Sequence, residues 1–210
     1  MRRLVQISTN DDDLFHASKS WVAQAYGTCL CEECHSVDRR RFPEQIDIVL
    51  AEYSRSCIGA SPWWTGIEVF DRAFLEQLGE HLSGFVLGRC FDEGGNVIEK
   101  YATCYTAHYI IERGNQKSRY YICGKCGLIS PDGWFGTQYT LSGYLDDRLV
   151  YQDAFGTMYI DEELALKLDF SPWADADLTT IPVRDKPVDG QDLPWVSPDK
   201  SFRKNGGERI

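Results

Sequence analysis

Long apolar runs are missing from this chain of 210 residues. None approaches the roughly 18 consecutive apolar residues that a membrane-spanning helix needs. The first residues, "MRRLVQISTNDDDLF", also lack the apolar core of a secretory signal, because three aspartates follow the short apolar stretch. The sequence therefore predicts a cytoplasmic protein that does not partner with a membrane.

Basic residues are also in short supply. Lys and Arg number 22 against 32 Asp and Glu, which gives a formal net charge of −10. Binding to a phosphate backbone needs a basic surface, so this composition argues against nucleic acid as a partner. Apolar residues make up 43% of the chain, which is enough to fill a core without the help of disulfides.

Signatures of catalysis are absent as well. No serine stands in a G-x-S-x-G context, no glycine-rich stretch forms a phosphate loop, and no two carboxylates form a recognisable catalytic pair. The chain has four histidines, and ordinary structural roles account for His81 near a predicted helix end and His108 in a predicted strand. We therefore predict that the protein is not an enzyme.

Cysteine is the exception, because the chain has eight of them and four stand in C-x-x-C pairs. In a reducing compartment such pairs are more often metal ligands than disulfides. The two-residue spacer lets both sulfurs of one turn face the same metal, and structural zinc takes four such ligands. "CGKCG" also has a glycine after its second cysteine, which easily takes the left-handed conformation of such a turn. The sequence predicts a zinc-ribbon-like site formed by Cys31, Cys34, Cys123 and Cys126.

The first pair leaves alternatives open. "CEECH" places two glutamates between the cysteines and His35 where the turn favours glycine, so Cys29 or His35 could replace one ligand. Such an incomplete site would leave a position for water and would suit a zinc-dependent hydrolase. An iron centre with the same four cysteines, or a redox pair, are further possibilities. We expect the cysteines outside the pairs, Cys29, Cys57, Cys90 and Cys104, to be small buried side chains.

The periodicity of the chain predicts an α+β fold of antiparallel sheets with a few helices. One helix is predicted over roughly residues 12–26, where aspartates precede an apolar face, and another begins near Asp71. A strand follows Pro43, and "GFVLGRCF" with "KYATCYTAHYIIE" predicts a long hairpin through the turn "DEGGN".

A possible duplication organises these elements. "GIEVFDRAFLEQL" (66–78) aligns without gaps on "GTMYIDEELALKL" (156–168), matching a turn glycine, a helix-capping aspartate and apolar positions four residues apart. Each segment follows one cysteine pair, so the alignment predicts two equivalent halves, 29–90 and 119–170, within one domain of residues 1–170. Five of the eight prolines lie in 171–210, which predicts an extended C-terminal arm.

Tryptophans in turn-rich loops raise the question of binding. "SPWWTG" (61–66) and "PDGWFG" (131–136) could form an exposed recognition surface, or they could cover the metal site.

The order of these features resembles the double-CXXCG motif family, small bacterial proteins regarded as immunity proteins that neutralise a polymorphic toxin. The resemblance rests on the cysteine pair at Cys31 and Cys34, the later "CGKCG" (123–127) and the strand-turn-helix segment after it; it spans residues 29–170. His35 stands where the first motif of the family has glycine. The resemblance implies a structure supported by zinc, no catalysis, and a cognate toxin as the protein partner.

Overall fold

The computed structural model describes residues 2–9, 15–38, 41, 44–54, 57–62, 66–110, 112–113, 120–131 and 139–185. Trp63, Trp64 and Trp134 of the two aromatic loops lie outside these ranges, and so does the end of the predicted arm, 186–210. The role of those tryptophans stays a prediction.

The first of two six-stranded sheets is built from the first half of the chain. In spatial order its strands are β2 (Phe15–Ala17), β3 (Ile48–Tyr53), β6 (Phe85–Asp92), β7 (Val97–Thr106), β5 (Glu68–Asp71) and β4 (Gly59–Ala60). The predicted long hairpin is β6 and β7, which pair antiparallel.

The second six-stranded sheet combines both ends of the described chain. In spatial order its strands are β8 (Glu112–Arg113), β11 (Tyr139–Leu141), β14 (Ala176–Arg184), β1 (Arg3–Thr9), β13 (Met158–Asp161) and β12 (Val150–Gln152). A separate hairpin of β9 (Tyr120–Ile122) and β10 (Ile129–Pro131) carries the second cysteine pair in its turn.

The two large sheets have the same pattern of strand directions. Read in the orders above, the first pair of strands is antiparallel, the second parallel and the remaining three antiparallel in both sheets. The α+β class is as predicted. Whether the pattern comes from a duplicated sequence stays a prediction.

Short helices connect the strands. They are α1 (Lys19–Ala25), α2 (Arg72–Leu78) and α3 (Glu162–Ala165), with 3-10 turns over Gly79–Leu82 and Ser142–Tyr144. Asp71 begins α2 by accepting a hydrogen bond from the Ala73 amide at 2.9 Å, and Asp161 begins α3 through the Glu163 amide at 3.1 Å. Both aspartates were predicted as caps, and both satisfy an amide that the helix itself leaves unpaired.

The main core lies where the two sheets face each other. It joins Phe70, Phe74 and Cys104 of β5, α2 and β7 to Val5, Met158 and Ile160 of β1 and β13. Trp173 is also part of this core and donates from Nε1 to a carboxylate oxygen of Asp71 at 3.1 Å. The two sheets therefore share one apolar interior.

Two matched glycines meet at this junction. Gly66 and Gly156 both have positive φ, 78° and 100°. A Cβ on Gly156 would lie 3.0 Å from the carbonyl carbon of Gly66 and 2.8 Å from Cγ of Glu68. Both the backbone conformation and the close approach therefore require glycine at position 156.

The N-terminal helix prediction needs correction. The helix begins at Lys19, where the hydroxyl of Ser18 accepts a hydrogen bond from the Trp21 amide at 3.2 Å. Residues 15–17 are instead strand β2, paired with β3. The cap is thus a serine close to the apolar face, and the aspartates at 11–13 lie outside the described residues.

The predicted arm begins as part of the second sheet. Residues 176–184 form β14, which pairs with β1 from Arg3↔Pro182 to Thr9↔Ala176. Pro182 occupies a strand position, and Ile181 and Val183 beside it are buried. The boundary placed at residue 171 therefore does not separate this segment from the sheet.

Among the residues that the structure describes, none belongs to a helix with the length and apolar character needed to cross a membrane.

Candidate metal centre

The two C-x-x-C pairs come together in space. The Sγ atoms of Cys31 and Cys123 lie 3.7 Å apart, those of Cys34 and Cys126 lie 3.4 Å apart, and all four lie within 4.8 Å of one another. Four sulfurs at about 2.3 Å from a tetrahedral metal would be about 3.8 Å apart. The four thiols can therefore hold a metal ion.

Each pair sits in the same kind of turn. The amide of His35 donates to the Cys31 carbonyl at 2.8 Å, and the amide of Gly127 donates to the Cys123 carbonyl at 2.7 Å. The amides of Cys31 and Cys123 donate in turn to the carbonyls five residues further on, at 2.8 and 3.0 Å. Local hydrogen bonding alone thus positions both sulfurs of each turn.

The backbone pairing that flanks each turn is also the same. Leu30 pairs with Val37 across the first turn, and Ile122 pairs with Ile129 across the second. Both pairings are antiparallel and enclose the same number of residues. Each turn therefore presents its two thiols in the same backbone arrangement.

The thiols lie in an apolar setting. Their residues are between 1% and 8% exposed and contact Leu128, Ala154 and the ring of Tyr109. The hydroxyl of Tyr109 accepts a hydrogen bond from the Ile129 amide at 2.9 Å, which ties this ring to the second turn. The sequence analysis missed Tyr109, because nothing in its strand-like surroundings distinguishes it from other tyrosines.

Burial and proximity shift the pKa values of Cys34, Cys123 and Cys126 in different directions. Burial raises the pKa of Cys123 to about 11. A hydrogen bond to Cys126, with burial, raises the pKa of Cys34 well above its usual range, and the same bond lowers the pKa of Cys126 to about 6. Without a metal, a hydrogen bond links the sulfurs of Cys34 and Cys126, and the directions of the two pKa shifts favour Cys34 as its donor. Since a metal binds thiolates, its entry must release protons.

An ion pair joins the outer edges of the turns. Lys125 of the second turn contacts Glu32 of the first, and both side chains face solvent. The hydrogen bond from Lys125 holds the pKa of Glu32 below its usual range. The sequence alone does not indicate this pairing, because the two residues belong to different motifs. The contact offsets the repulsion between Glu32 and the nearby thiolates.

The alternative ligands lie elsewhere. The thiol of Cys29 points to the Ala25 carbonyl at 3.7 Å, and the imidazole of His35 packs edge-on against the Tyr26 ring with centroids 4.9 Å apart. The group that can hold a metal contains the four paired cysteines and neither of these residues. Of the remaining thiols, Cys57, Cys90 and Cys104 are buried as predicted, whereas Cys29 is half-buried.

No protein-family model matches this chain, and a search of the curated proteins finds no match either. The resemblance to the double-CXXCG motif family therefore stays a prediction from motif order.

Proposed function

We propose that this protein is a non-catalytic binder of another protein, stabilised by one zinc ion, and that it acts as an immunity protein against a bacterial toxin. The observation that carries the proposal is the set of four buried thiols whose Sγ atoms all lie within 4.8 Å of one another. Four thiolates complete the coordination of zinc and leave no position for a water molecule or a substrate.

The choice of zinc over iron rests on chemistry. Both metals accept four thiolates, but nothing else in the described residues suits electron transfer, and zinc is the usual occupant of two C-x-x-C turns. A complete set of four thiolate ligands also supports a structural role for the metal over hydrolysis, because hydrolysis needs an open coordination position.

The partner follows from charge and from the family resemblance. A net charge of −10 favours encounter with a basic protein surface and disfavours nucleic acid. A toxin that acts on nucleic acid would present a basic surface to the phosphate backbone. An acidic, folded chain is suited to cover such a surface.

The metal is tested by counting zinc and iron per chain after purification without added metal. The natural chain should hold one zinc, and both Cys31→Ser and Cys123→Ser should lose it. Cys29→Ser is the matched control, because Cys29 lies two residues from Cys31 and outside the cluster. Loss of zinc in Cys29→Ser, or its retention in Cys31→Ser, would contradict the proposed ligand set.

The partner is tested separately, by co-expressing the chain with the product of the gene adjacent to its own. If that product is toxic, the natural chain should restore growth and form a stoichiometric complex with it, and the rescue should persist in Cys29→Ser. A chain with intact zinc that neither rescues growth nor forms a complex would remove the immunity role while leaving the metal assignment in place.

A further inference from the structure

Strand β1 occupies the place in the second sheet that β7 occupies in the first. β7 lies between β5 and β6, antiparallel to both, and β1 lies between β13 and β14, antiparallel to both. All other equivalent elements follow one another in the same chain order in both halves. In the first sheet β7 is the last strand in chain order, whereas β1 precedes every other described element.

The register agrees around Cys104 and Ile7. Nearer the turn it differs, because the β6–β7 pairing shifts between Arg89 and Phe91 and the β14–β1 pairing runs without a shift. On one side Cys104 pairs with Glu68 and Ile7 pairs with Met158, and these partners are matched by the sequence alignment. On the other side Cys104 pairs with Leu87 and Ile7 pairs with Leu178. Leu87 and Leu178 are exposed to nearly the same extent, 43% and 41%.

The side chains that anchor the two strands also correspond. The Asp71 carboxylate, which caps α2, contacts the ammonium of Lys100 on β7 at 3.4 Å. The Asp161 carboxylate, which caps α3, contacts the guanidinium of Arg2 beside β1 at 3.0 Å. Each capping aspartate therefore holds a cation on or next to the equivalent strand, although in the register given above Lys100 is equivalent to Arg3 and not to Arg2.

The free ends of β14 and β1 are placed like the two sides of a hairpin turn. In the first half the Asp92 amide donates to the Asn96 carbonyl at 2.9 Å, and three residues, Glu93 to Gly95, connect them. In the second half the Val183 amide donates to the Arg2 carbonyl at 3.1 Å, with no turn between them.

We infer that β1 is the last strand of the second half, carried to the beginning of the chain by circular permutation of a duplicated unit. The second half, with its cysteine pair, is therefore complete only when the N-terminus returns to it. This inference is independent of the proposed metal and of the proposed partner.

The inference is tested with a rearranged chain that keeps β1 whole and β14 up to Val183. The variant begins with residues 11–183. A Glu-Gly-Gly turn, copied from residues 93–95, then connects Val183 to Arg2. Residues 2–10 follow this turn, and residues 184–210 end the chain. A second variant has twelve Gly and Ser residues in place of Glu-Gly-Gly. A third lacks residues 2–10. Thermal unfolding is followed by far-ultraviolet circular dichroism, which reports on folding whether or not zinc is bound.

The variant with the three-residue turn should unfold cooperatively within a few degrees of the natural chain, whereas the variant without residues 2–10 should lose the transition. A cooperative transition with the long linker but not with the three-residue turn would overturn the inference. So would its loss in both rearranged chains, or its survival without β1.

Discussion

His35 and Gly127 adopt the same left-handed backbone conformation, with φ of 60° and 71°, at the same position of the two cysteine turns. Within the described part of the chain, His35 is the non-glycine residue with positive φ. This conformation turns the chain after each second cysteine, so that the carbonyls of Ser36 and Leu128 accept hydrogen bonds from the amides of Cys31 and Cys123. His35 thus contributes to the turn through its left-handed backbone conformation and through the contact of its ring with Tyr26.

Replacing His35 separates the backbone requirement from the side chain. His35→Ala and His35→Gly both lose the ring contact with Tyr26, but only glycine relieves the left-handed strain. We expect His35→Gly to be more stable than His35→Ala by about 1 kcal/mol in urea unfolding. Both should keep the metal content of the natural chain, and loss of metal in either would show that the imidazole is a ligand.

Adding a side chain at Gly156, where it approaches Gly66 and Glu68, should lower the free energy of unfolding. Gly156→Ala places a methyl group 2.8 Å from Cγ of Glu68 and also forces alanine to adopt a φ of 100°. We expect a loss of about 2–4 kcal/mol in the free energy of unfolding, because strain and overpacking act together. Gly124→Ala is the control, since nothing lies within 4 Å of its added Cβ. Its loss should stay below about 0.5 kcal/mol.

Glu68 should make stability depend on pH. Burial, with the charge of Asp153, raises the pKa of its carboxyl to about 8, against a usual value of about 4.3. Between these values the folded state binds more protons than the unfolded state, so stability falls as pH rises through this window and levels off above it. Glu68→Gln should flatten the profile between pH 6 and 9 and gain on the order of 1 kcal/mol or more at pH 9. Urea unfolding with saturating zinc measures the free energy of unfolding at each pH. An unchanged dependence on pH in Glu68→Gln would contradict the raised pKa of Glu68.

Replacing the two capping aspartates should lower the free energy of unfolding by different amounts. Asp71→Ala removes the cap of α2 and also leaves Nε1 of the buried Trp173 without its acceptor, so we expect a loss of about 2–4 kcal/mol. Asp161→Ala removes the cap of α3 and a contact with the half-exposed Arg2, with an expected loss of about 1–2 kcal/mol. Denaturant unfolding of both variants checks the order, and equal losses would show that the Trp173 bond adds little.

Local signals in the sequence were the ones that predicted structure well. The C-x-x-C spacing located all four clustered thiols, because a two-residue spacer fixes the turn whatever surrounds it. The capping role of Asp71 and Asp161 was equally readable, since each aspartate precedes an apolar helical pattern. The α+β class followed from the same short-range periodicities.

Long-range partners were not readable in the same way. "RLVQIST" is a seven-residue strand whose neighbours, β13 and β14, lie more than 150 residues away in the chain. Pro182 suggested an arm because proline cannot donate a ladder hydrogen bond, yet β14 accommodates it. The left-handed His35 was also missed, because its conformation is imposed by the turn and not by its own preference.

The position of β1 in the sequence determines when, during translation, the second sheet can be completed. β1 is the first strand to leave the exit tunnel, and its neighbour β14 ends at Arg184. At about 5–20 residues per second, roughly 10 to 35 seconds separate the two events. The first cysteine turn likewise waits for the second, which follows 92 residues later. Closure of the second sheet is therefore a late event of biosynthesis, and a chain arrested before Arg184 leaves a central strand without one of its neighbours.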